Sequence, residues 1–239
     1  MPKSISIAWS EGVTEEESAT LLATVQRTLR SLFLRVPAAL EAPPIQVRAF
    51  GNWVIPALTP DHPYWGIQWY VDSAYDADLE RVIAPSFLEL VRLEPWQRAD
   101  PHLDLALLDS DLTDFPAPLA HLRRERYTVG TSLPGSAAVL SVRRIRRLAS
   151  EPTQRLALAR LVRHHLGHVL GVPAFERPHH TARQGLEQHC TYRCVMRGAS
   201  TVEELAGLAI DEAELGWPYC PECSRELVDI VVKHAYTWN

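Results

Sequence analysis

Two histidines of the chain, His164 and His168, stand four residues apart. On an α-helix this spacing puts both imidazoles on one face, where they can bind the same zinc ion. The surrounding residues predict a helix that begins near 151–153 and ends at Gly171, since glycine adopts the left-handed conformation that ends helices. The apolar side of this helix consists of Leu158, Leu161, Val162, Leu166 and Val169. Histidines also occur as polar residues at the edge of a core, but six of the ten histidines fall between 164 and 189, which favours metal binding.

The residue after the first histidine decides which chemistry this helix supports. Zinc hydrolases with the signature H-E-x-x-H have a glutamate there, which takes a proton from the attacking water. This chain has His165 at that position. An imidazole titrates near neutral pH, so His165 is the candidate catalytic base. Its reach and charge differ from those of glutamate, and loss of a positioned base predicts a rate lower by about 10² to 10⁴.

A third histidine ligand is missing from the position that the longer signature H-E-x-x-H-x-x-G-x-x-H gives it. Ala174 stands there, and the nearest histidines beyond it are His179, His180 and His189. From the residues alone, each of the three is a candidate ligand. A different metal site, in which the helix histidines combine with His179 and His180, is a further alternative.

All four cysteines lie beyond this helix, at Cys190, Cys194, Cys220 and Cys223. The C-x-x-C pair alone is as typical of a redox pair as of a zinc knuckle. Two closely spaced pairs are more specific, because four thiolates form a closed tetrahedral zinc site. Disulfide bonds are the alternative, but the N-terminal residues do not have the pattern of a signal peptide. The spacing therefore predicts a structural zinc site with four cysteine ligands.

Together these residues resemble the archaemetzincins, a family of the metzincin clan of zinc peptidases. The family pattern is H-E-x-x-H-x-x-G-x-x-H-C, then four residues, C-x-M and a later C-x-x-C. The resemblance implies a catalytic zinc, a structural zinc, and a Met-turn residue beneath the catalytic metal, here Met196. The implied zinc ligands are His164, His168 and His189 at the catalytic site and Cys190, Cys194, Cys220 and Cys223 at the structural site.

The chain departs from the family pattern in the base and in several lengths. His165 replaces the glutamate, and seventeen residues instead of two separate Gly171 from His189. The spacing of the first cysteine pair is one residue shorter, and the gap before the second pair is longer. We expect 172–188 to be a flexible loop that exposes its two histidines, and we expect Cys190 to anchor His189 near the metal.

The resemblance also implies a fold and a function. The fold is α+β and metzincin-like: a mixed sheet with backing and active-site helices precedes a small C-terminal subdomain with a zinc knuckle. The expected division is 1–171, which ends in the active-site helix, and 172–239, which has the Met-turn and the four-cysteine site. The implied activity is zinc-dependent attack of water on a peptide bond, impaired by His165. The alternative is a catalytically inactive protein of this fold that binds a peptide or protein.

Composition limits the classes of partner. The chain of 239 residues has a net charge of −5 and a pI of about 6.1, which does not favour nucleic acid or an anionic membrane. Apolar runs are all shorter than the roughly 20 residues that cross a bilayer. We predict a monomeric, cytoplasmic protein whose partner is a peptide or protein.

Hydrophobic patterns predict the elements that position these residues. Strands are predicted at 5–9, 45–50, 103–108 and 137–142. Besides the metal helix, helices are predicted after a capping box at Thr14 and Glu17, over 76–91 with a kink or break at Pro85, and over 201–215 and 221–235. Only loops and helices are predicted after the metal helix. The aromatic cluster in 51–70 is predicted to pack in a small core, with a peptide-binding surface as the alternative.

Overall fold

A computed structural model describes residues 4–36, 45–51 and 66–236. Its strands are β1 (Ser4–Trp9), β2 (Gln46–Gly51), β3 (Tyr75–Asp76), β4 (Arg81–Ile83), β5 (Leu103–Leu108), β6 (Leu112–Thr113), β7 (Gly130–Leu133), β8 (Ala137–Ser141), β9 (Thr181–Gln184) and β10 (Glu187–Cys190). Its helices are α1 (Glu15–Phe33), α2 (Ile67–Ala74), α3 (Ala84–Arg92), α4 (Pro95–Ala99), α5 (Ala117–Ala120), α6 (Glu151–Val169), α7 (Val202–Glu212) and α8 (Pro221–Tyr236). The predicted metal-binding helix is α6.

Five of the strands form one mixed sheet in the order β2-β1-β5-β8-β7. The first four are parallel to one another. β7 runs antiparallel to β8 and forms an edge of the sheet. Parallel neighbours need crossover connections, usually helices, which explains why strands and helices alternate before α6. The predicted α+β class with a mixed sheet is confirmed.

Alternate residues of the central strands point to opposite faces of this sheet. On one face, Leu105 and Leu107 of β5 belong to the core that α1 and α6 cover. On the other face, Ala106 and Leu108 pack against α2 and α3. Because both faces are covered, a central strand such as β5 is an almost continuous apolar run. The sheet thus holds α6 on one of its faces.

The two helices on the first face begin where the sequence predicts, and α6 also ends there. The Thr14 hydroxyl accepts from the Glu17 N–H at 3.3 Å, and the Glu17 carboxylate accepts from the Thr14 N–H at 2.8 Å, which completes the capping box. α6 begins after Ser150, whose hydroxyl accepts from the Thr153 N–H at 3.3 Å. It ends before Gly171, whose φ of 93° is in the left-handed region that favours glycine.

Beyond α6 the chain forms a β-hairpin and two helices that return to α6 and α1. Arg160 of α6 donates to the Glu212 carboxylate of α7 at 3.0 and 3.3 Å, and both side chains are buried. Residues on both sides of position 171 pack in one core cluster. The division into 1–171 and 172–239 stays a prediction.

Two predicted elements are wrong. Residues 76–91 do not form one helix, because β3 and β4 pair as a short hairpin before α3 begins. Pro85 lies in the first turn of α3, where its missing N–H is not needed, so it starts the helix rather than kinking it. The prediction of only loops and helices after α6 is also wrong, since β9 and β10 form a hairpin there.

The predicted aromatic cluster lies only partly within the residues that the structure describes. In the predicted aromatic cluster, Trp53, Tyr64 and Trp65 lie outside the described residues, whereas Trp69 and Tyr70 lie on α2 with their rings edge-on at 5.2 Å. Tyr70 is buried in the core beneath α2 and α3.

Within the described ranges, no helix is both long and apolar enough to span a membrane.

Candidate functional site

Helix α6 turns the rings of His164 and His168 toward each other. Their Nε2 atoms lie 3.2 Å apart. Two nitrogens that bind one tetrahedral zinc at about 2.0–2.1 Å lie roughly 3.3 Å from each other. The pair therefore has the separation of two ligands of one metal ion.

His189 joins this pair from β10. Its ring stacks on that of His164 with the centroids 5.2 Å apart and lies 5.2 Å from that of His168. Its Nε2 is 3.4 Å from a carboxylate oxygen of Glu187. The ligand atoms of these four residues all lie within 4.8 Å of one another. We call the three histidines the histidine centre, and Glu187 lies against it.

The other candidate histidines lie elsewhere. His179 and His180 are exposed, as expected, and His180 stacks on Tyr192 with the ring centroids 4.3 Å apart. Neither belongs to the group of ligand atoms that meets at the histidine centre. The structure thus groups His189 with the helix histidines. His179 and His180, which the alternative metal site requires, lie apart from them.

A turn at Val195 and Met196 orients the histidine centre. The Nδ1 atom of His164 lies 2.8 Å from the Val195 carbonyl oxygen. A ring N–H donated to this carbonyl leaves Nε2 unprotonated and able to bind a metal. Met196 is fully buried, and its sulfur lies against Gly167, where any side chain would collide with it. Met196 therefore packs on the turn of α6 that contains His168.

Burial sets the charge of the site. It lowers the pKa of His164 far below its usual range and lowers the pKa of His168 to about 3. Both imidazoles are therefore neutral, which is the metal-binding form. Burial raises the pKa of the Glu187 carboxyl, but interactions with the surrounding histidines outweigh it and hold this pKa well below its usual range. Neutral imidazoles beside one carboxylate suit a divalent cation such as zinc.

His165 is almost entirely buried beside the histidine centre, with 3% of its surface exposed. Its Nδ1 lies 2.7 Å from the Ser132 hydroxyl of β7 and 3.5 Å from the Glu187 carboxylate. Its Nε2 lies against Gly130, where a side chain would collide with the ring. His165 lines the cleft, but its Nδ1 is already paired with the Ser132 hydroxyl, which is unfavourable for a base that must reach a water molecule.

Glu187 is the residue of this site that the sequence analysis missed. It lies in 172–188, the segment predicted to be a flexible loop. Two signals point to it. Gly185, with a φ of 61°, begins the two-residue turn between β9 and β10, a position that favours glycine. Residues two apart on a strand face the same side, so a strand that reaches His189 also brings Glu187 to the histidine centre.

The four cysteines meet on the other side of β10. Cys190 follows His189 directly, so the two side chains point in opposite directions. All four cysteines are buried thiols, none forms a disulfide, and their sulfurs lie within 4.8 Å of one another. The sulfurs of Cys190 and Cys220 are 3.7 Å apart. Two sulfurs bound at about 2.3 Å to a tetrahedral zinc lie roughly 3.8 Å apart, so this donor set fits a closed zinc site.

Hydrogen-bond donors surround the sulfurs. The Cys220 N–H donates to the Cys194 sulfur at 3.2 Å. Arg177 donates to the Cys223 sulfur at 3.1 Å, and Glu226 accepts from the same guanidinium at 2.6 and 2.7 Å. Such donors favour ionised thiols, and zinc binds thiolates. Arg177 therefore also fixes the inserted segment 172–188 to the cysteine site.

A third group of polar side chains lies just before β5 and at its start. The Nε2 atom of His102 lies 3.0 Å from Glu94 and 3.4 Å from Asp104. Burial alone would lower the pKa of His102, but hydrogen bonds with Asp104 and Glu94 outweigh it and raise this pKa to about 10. These separations and the raised pKa favour an ion-pair cluster over a metal site.

A cleft of about 330 Å³ opens beside the histidine centre. Residues 128–133, which include β7, and the hairpin residues 184–187 line it. In the part of the chain that the structure describes, no strand pairs with the outer edge of β7. Such an edge offers N–H and C=O groups to which an extended peptide can add. The cleft thus suits an extended peptide beside the histidine centre.

No protein-family model matches the chain, and no curated protein matches it significantly. Among solved structures, the archaemetzincin from Methanopyrus kandleri aligns with 95% of this chain and 94% of its own, at 18% identity and a TM-score of 0.56. A zinc-dependent peptidase from Methanocorpusculum labreanum aligns with 94% of this chain and 100% of its own, at 14% identity and a TM-score of 0.54. These likenesses show that the chain has an archaemetzincin-like fold.

Proposed function

We propose that this protein is a zinc-dependent peptidase of the archaemetzincin type whose peptide-bond hydrolysis is impaired. The observation that carries the proposal is the convergence of three buried histidines beside the cleft along β7. Similarity to a zinc-dependent peptidase over nearly the whole chain supports it. The proposed ligands are His164, His168 and His189 for the catalytic zinc and Cys190, Cys194, Cys220 and Cys223 for the structural zinc.

Other groups of the protein would bind the substrate and orient the zinc ligands. Zinc at the histidine centre would polarise the substrate carbonyl and make water more acidic. The outer edge of β7 would hold an extended peptide by backbone hydrogen bonds. The Val195 carbonyl keeps His164 in the tautomer whose Nε2 faces the centre. Met196 fixes the adjacent turn of α6 by packing against Gly167.

The impairment follows from the place of His165. A general base must come within hydrogen-bond reach of the water whose proton it takes. The Nδ1 atom of His165 is instead 2.7 Å from the Ser132 hydroxyl, and its Nε2 packs close to Gly130. We therefore infer slow cleavage, by the factor of about 10² to 10⁴ that a positioned base contributes.

The second candidate is a protein that binds peptides or proteins without cleaving them. The contrast between the two metal sites favours it. The cysteine site retains all four donors in one buried cluster, whereas the histidine site has lost the glutamate of the hydrolase signature. Selection for the fold without turnover would produce this pattern.

The proposal also includes a partner, an oligomeric state and a location in the cell. A peptide or protein is the proposed partner because the cleft follows an edge strand. A monomeric state and a cytoplasmic location remain the predictions made from the sequence.

Zinc-dependent cleavage is the direct test. The zinc-loaded protein should cleave a mixture of unstructured synthetic peptides slowly, as followed by mass spectrometry, and should lose this activity in His164→Ala. The matched control is His179→Ala, which removes an exposed histidine outside the histidine centre. Equal cleavage by the wild type and His164→Ala would contradict the proposal. Peptide binding without cleavage would favour the second candidate.

A further inference from the structure

The hairpin of β9 and β10 brings two side chains to the histidine centre. Glu187 and His189 lie on the same face of β10, and both are buried. Residues 182–186, at the tip, are exposed. The hairpin therefore projects past the centre and places one carboxylate against it.

The base of the hairpin is fixed on the face of β10 opposite Glu187 and His189. Cys190 is part of the cysteine cluster. The Gln188 side chain donates to the carbonyl oxygens of Ala174 and Arg177 at 3.1 and 3.3 Å. Because the base is held and the tip is exposed, the position of Glu187 depends on a tethered strand rather than on a loop.

One oxygen of the Glu187 carboxylate is left unsatisfied. Its Oε1 is buried and has no hydrogen-bond partner among the described residues. The Nδ1 atom of His165 is 3.5 Å from this oxygen, which is longer than an ordinary hydrogen bond. A buried carboxylate with an unsatisfied oxygen is costly unless a cation or a donor compensates it.

We propose that Glu187 is the fourth protein ligand of the metal at the histidine centre, an inference that rests on the proposed zinc function. Its Oε2 lies 3.4 Å from Nε2 of His189, close to the 3.2 Å between the Nε2 atoms of His164 and His168. Both distances are near the roughly 3.3 Å that separates two ligand atoms on a tetrahedral zinc. Three imidazoles and one carboxylate then fill all four positions.

A fourth protein ligand determines whether the metal keeps an open position for water or substrate. Structural zinc sites have four protein ligands, whereas catalytic sites keep one position for water or substrate. With Glu187 bound, the site stays closed until the carboxylate leaves. The hairpin and β7 line the same cleft, so a peptide that adds to β7 would enter next to Glu187. The hairpin is thus an intramolecular strap that inhibits the histidine centre.

The test uses cobalt(II) as a visible probe of coordination in the full-length protein. Zinc is kept in the cysteine site and cobalt is added to the histidine centre, and the absence of thiolate-to-cobalt charge-transfer bands verifies this loading. We expect the wild type to show the intense spectrum of four-coordinate cobalt, unchanged by azide. We expect Glu187→Ala to bind cobalt at least about 10-fold more weakly, and its spectrum to change when azide enters the open position.

Two further variants make the test specific. Glu187→Gln retains the size of the side chain and removes its charge, in case the alanine variant folds poorly. Glu176→Gln makes the same charge change at an exposed position of the inserted segment, and it should behave as the wild type. Thermal unfolding and zinc content verify that each variant is folded.

The possible results separate this inference from the proposed function. Failure of the wild-type histidine centre to bind cobalt would contradict both. Equal cobalt affinity and equal azide binding in the wild type and both Glu187 variants would overturn the fourth ligand alone. A loss of peptide cleavage in Glu187→Gln without any change in the cobalt spectrum would also overturn it, since Glu187 would then act as a base and not as a ligand.

Discussion

His165→Glu is expected to cleave peptides roughly 10²- to 10⁴-fold faster than the wild type, the range that a positioned general base contributes. The substitution restores the H-E-x-x-H signature on α6, beside a centre whose other residues are in place. It also adds a second carboxylate next to Glu187, whose Oε1 now lies 3.5 Å from Nδ1 of His165. Neighbouring carboxylates repel each other, which favours release of Glu187.

The comparison needs controls for metal loading and for closure of the site. Zinc content must be equal in all proteins, because His165 lies beside the centre. His165→Gln removes the imidazole without adding a base and should not raise the rate. The double variant His165→Glu with Glu187→Gln restores the base and also removes the carboxylate that closes the site. It should therefore be the fastest. If neither glutamate variant exceeds the wild type, the missing base does not limit this protein. Efficient wild-type cleavage that His165→Glu abolishes would show that His165 is itself a working catalytic residue.

Cys220→Ser is expected to cause the largest loss of stability. Structural zinc contributes about 10–16 kcal/mol to the folding of small zinc fingers. This protein has a separate hydrophobic core, so we expect a loss of about 5 kcal/mol and a melting temperature lower by roughly 10–20 °C, or insoluble protein. Differential scanning calorimetry and zinc content check both parts of this expectation.

Two variants control the cysteine experiment. Glu222→Gln lies between Cys220 and Cys223 and leaves all four sulfurs in place, so it should retain zinc and stability. Cys220→His replaces one donor by another and should retain zinc better than serine does, since three cysteines and one histidine form a common structural zinc site. Purified wild type that contains no zinc, or that has Cys190–Cys194 and Cys220–Cys223 disulfides, would contradict the four-cysteine zinc site.

Elements with strong local signals could be predicted from the sequence. The capping box of α1 satisfies exposed N–H groups by side chains three residues apart, so the chain itself specifies where the helix begins. β5 has the predicted bounds, since a strand buried on both faces is a continuous apolar run. The histidine pair on α6 follows from helical spacing, and the cysteine cluster from two short-range pairs.

Elements that depend on distant contacts could not be predicted in this way. β9 reads Thr-Ala-Arg-Gln and is largely exposed, so it has no apolar alternation, and its pairing with β10 holds it in place. β7 is equally weak in pattern and is specified by pairing with β8. The role of Glu187 depends on that hairpin, which is why an apparent loop residue lies at the centre of the site. The helix predicted over 76–91 is wrong in its first half, because β3 and β4 pair there and Pro85 begins α3 instead of breaking a longer helix.

Anomalous scattering at the zinc edge, measured on crystals of the zinc-saturated protein, tests the central claim most directly. We predict two zinc peaks per chain: one among Cys190, Cys194, Cys220 and Cys223, and one bound by His164, His168 and His189 with a Glu187 oxygen in the fourth position. A single peak at the cysteines, with no zinc at the histidine centre, would contradict the account. So would a second peak bound by His179 or His180 with His189 turned away.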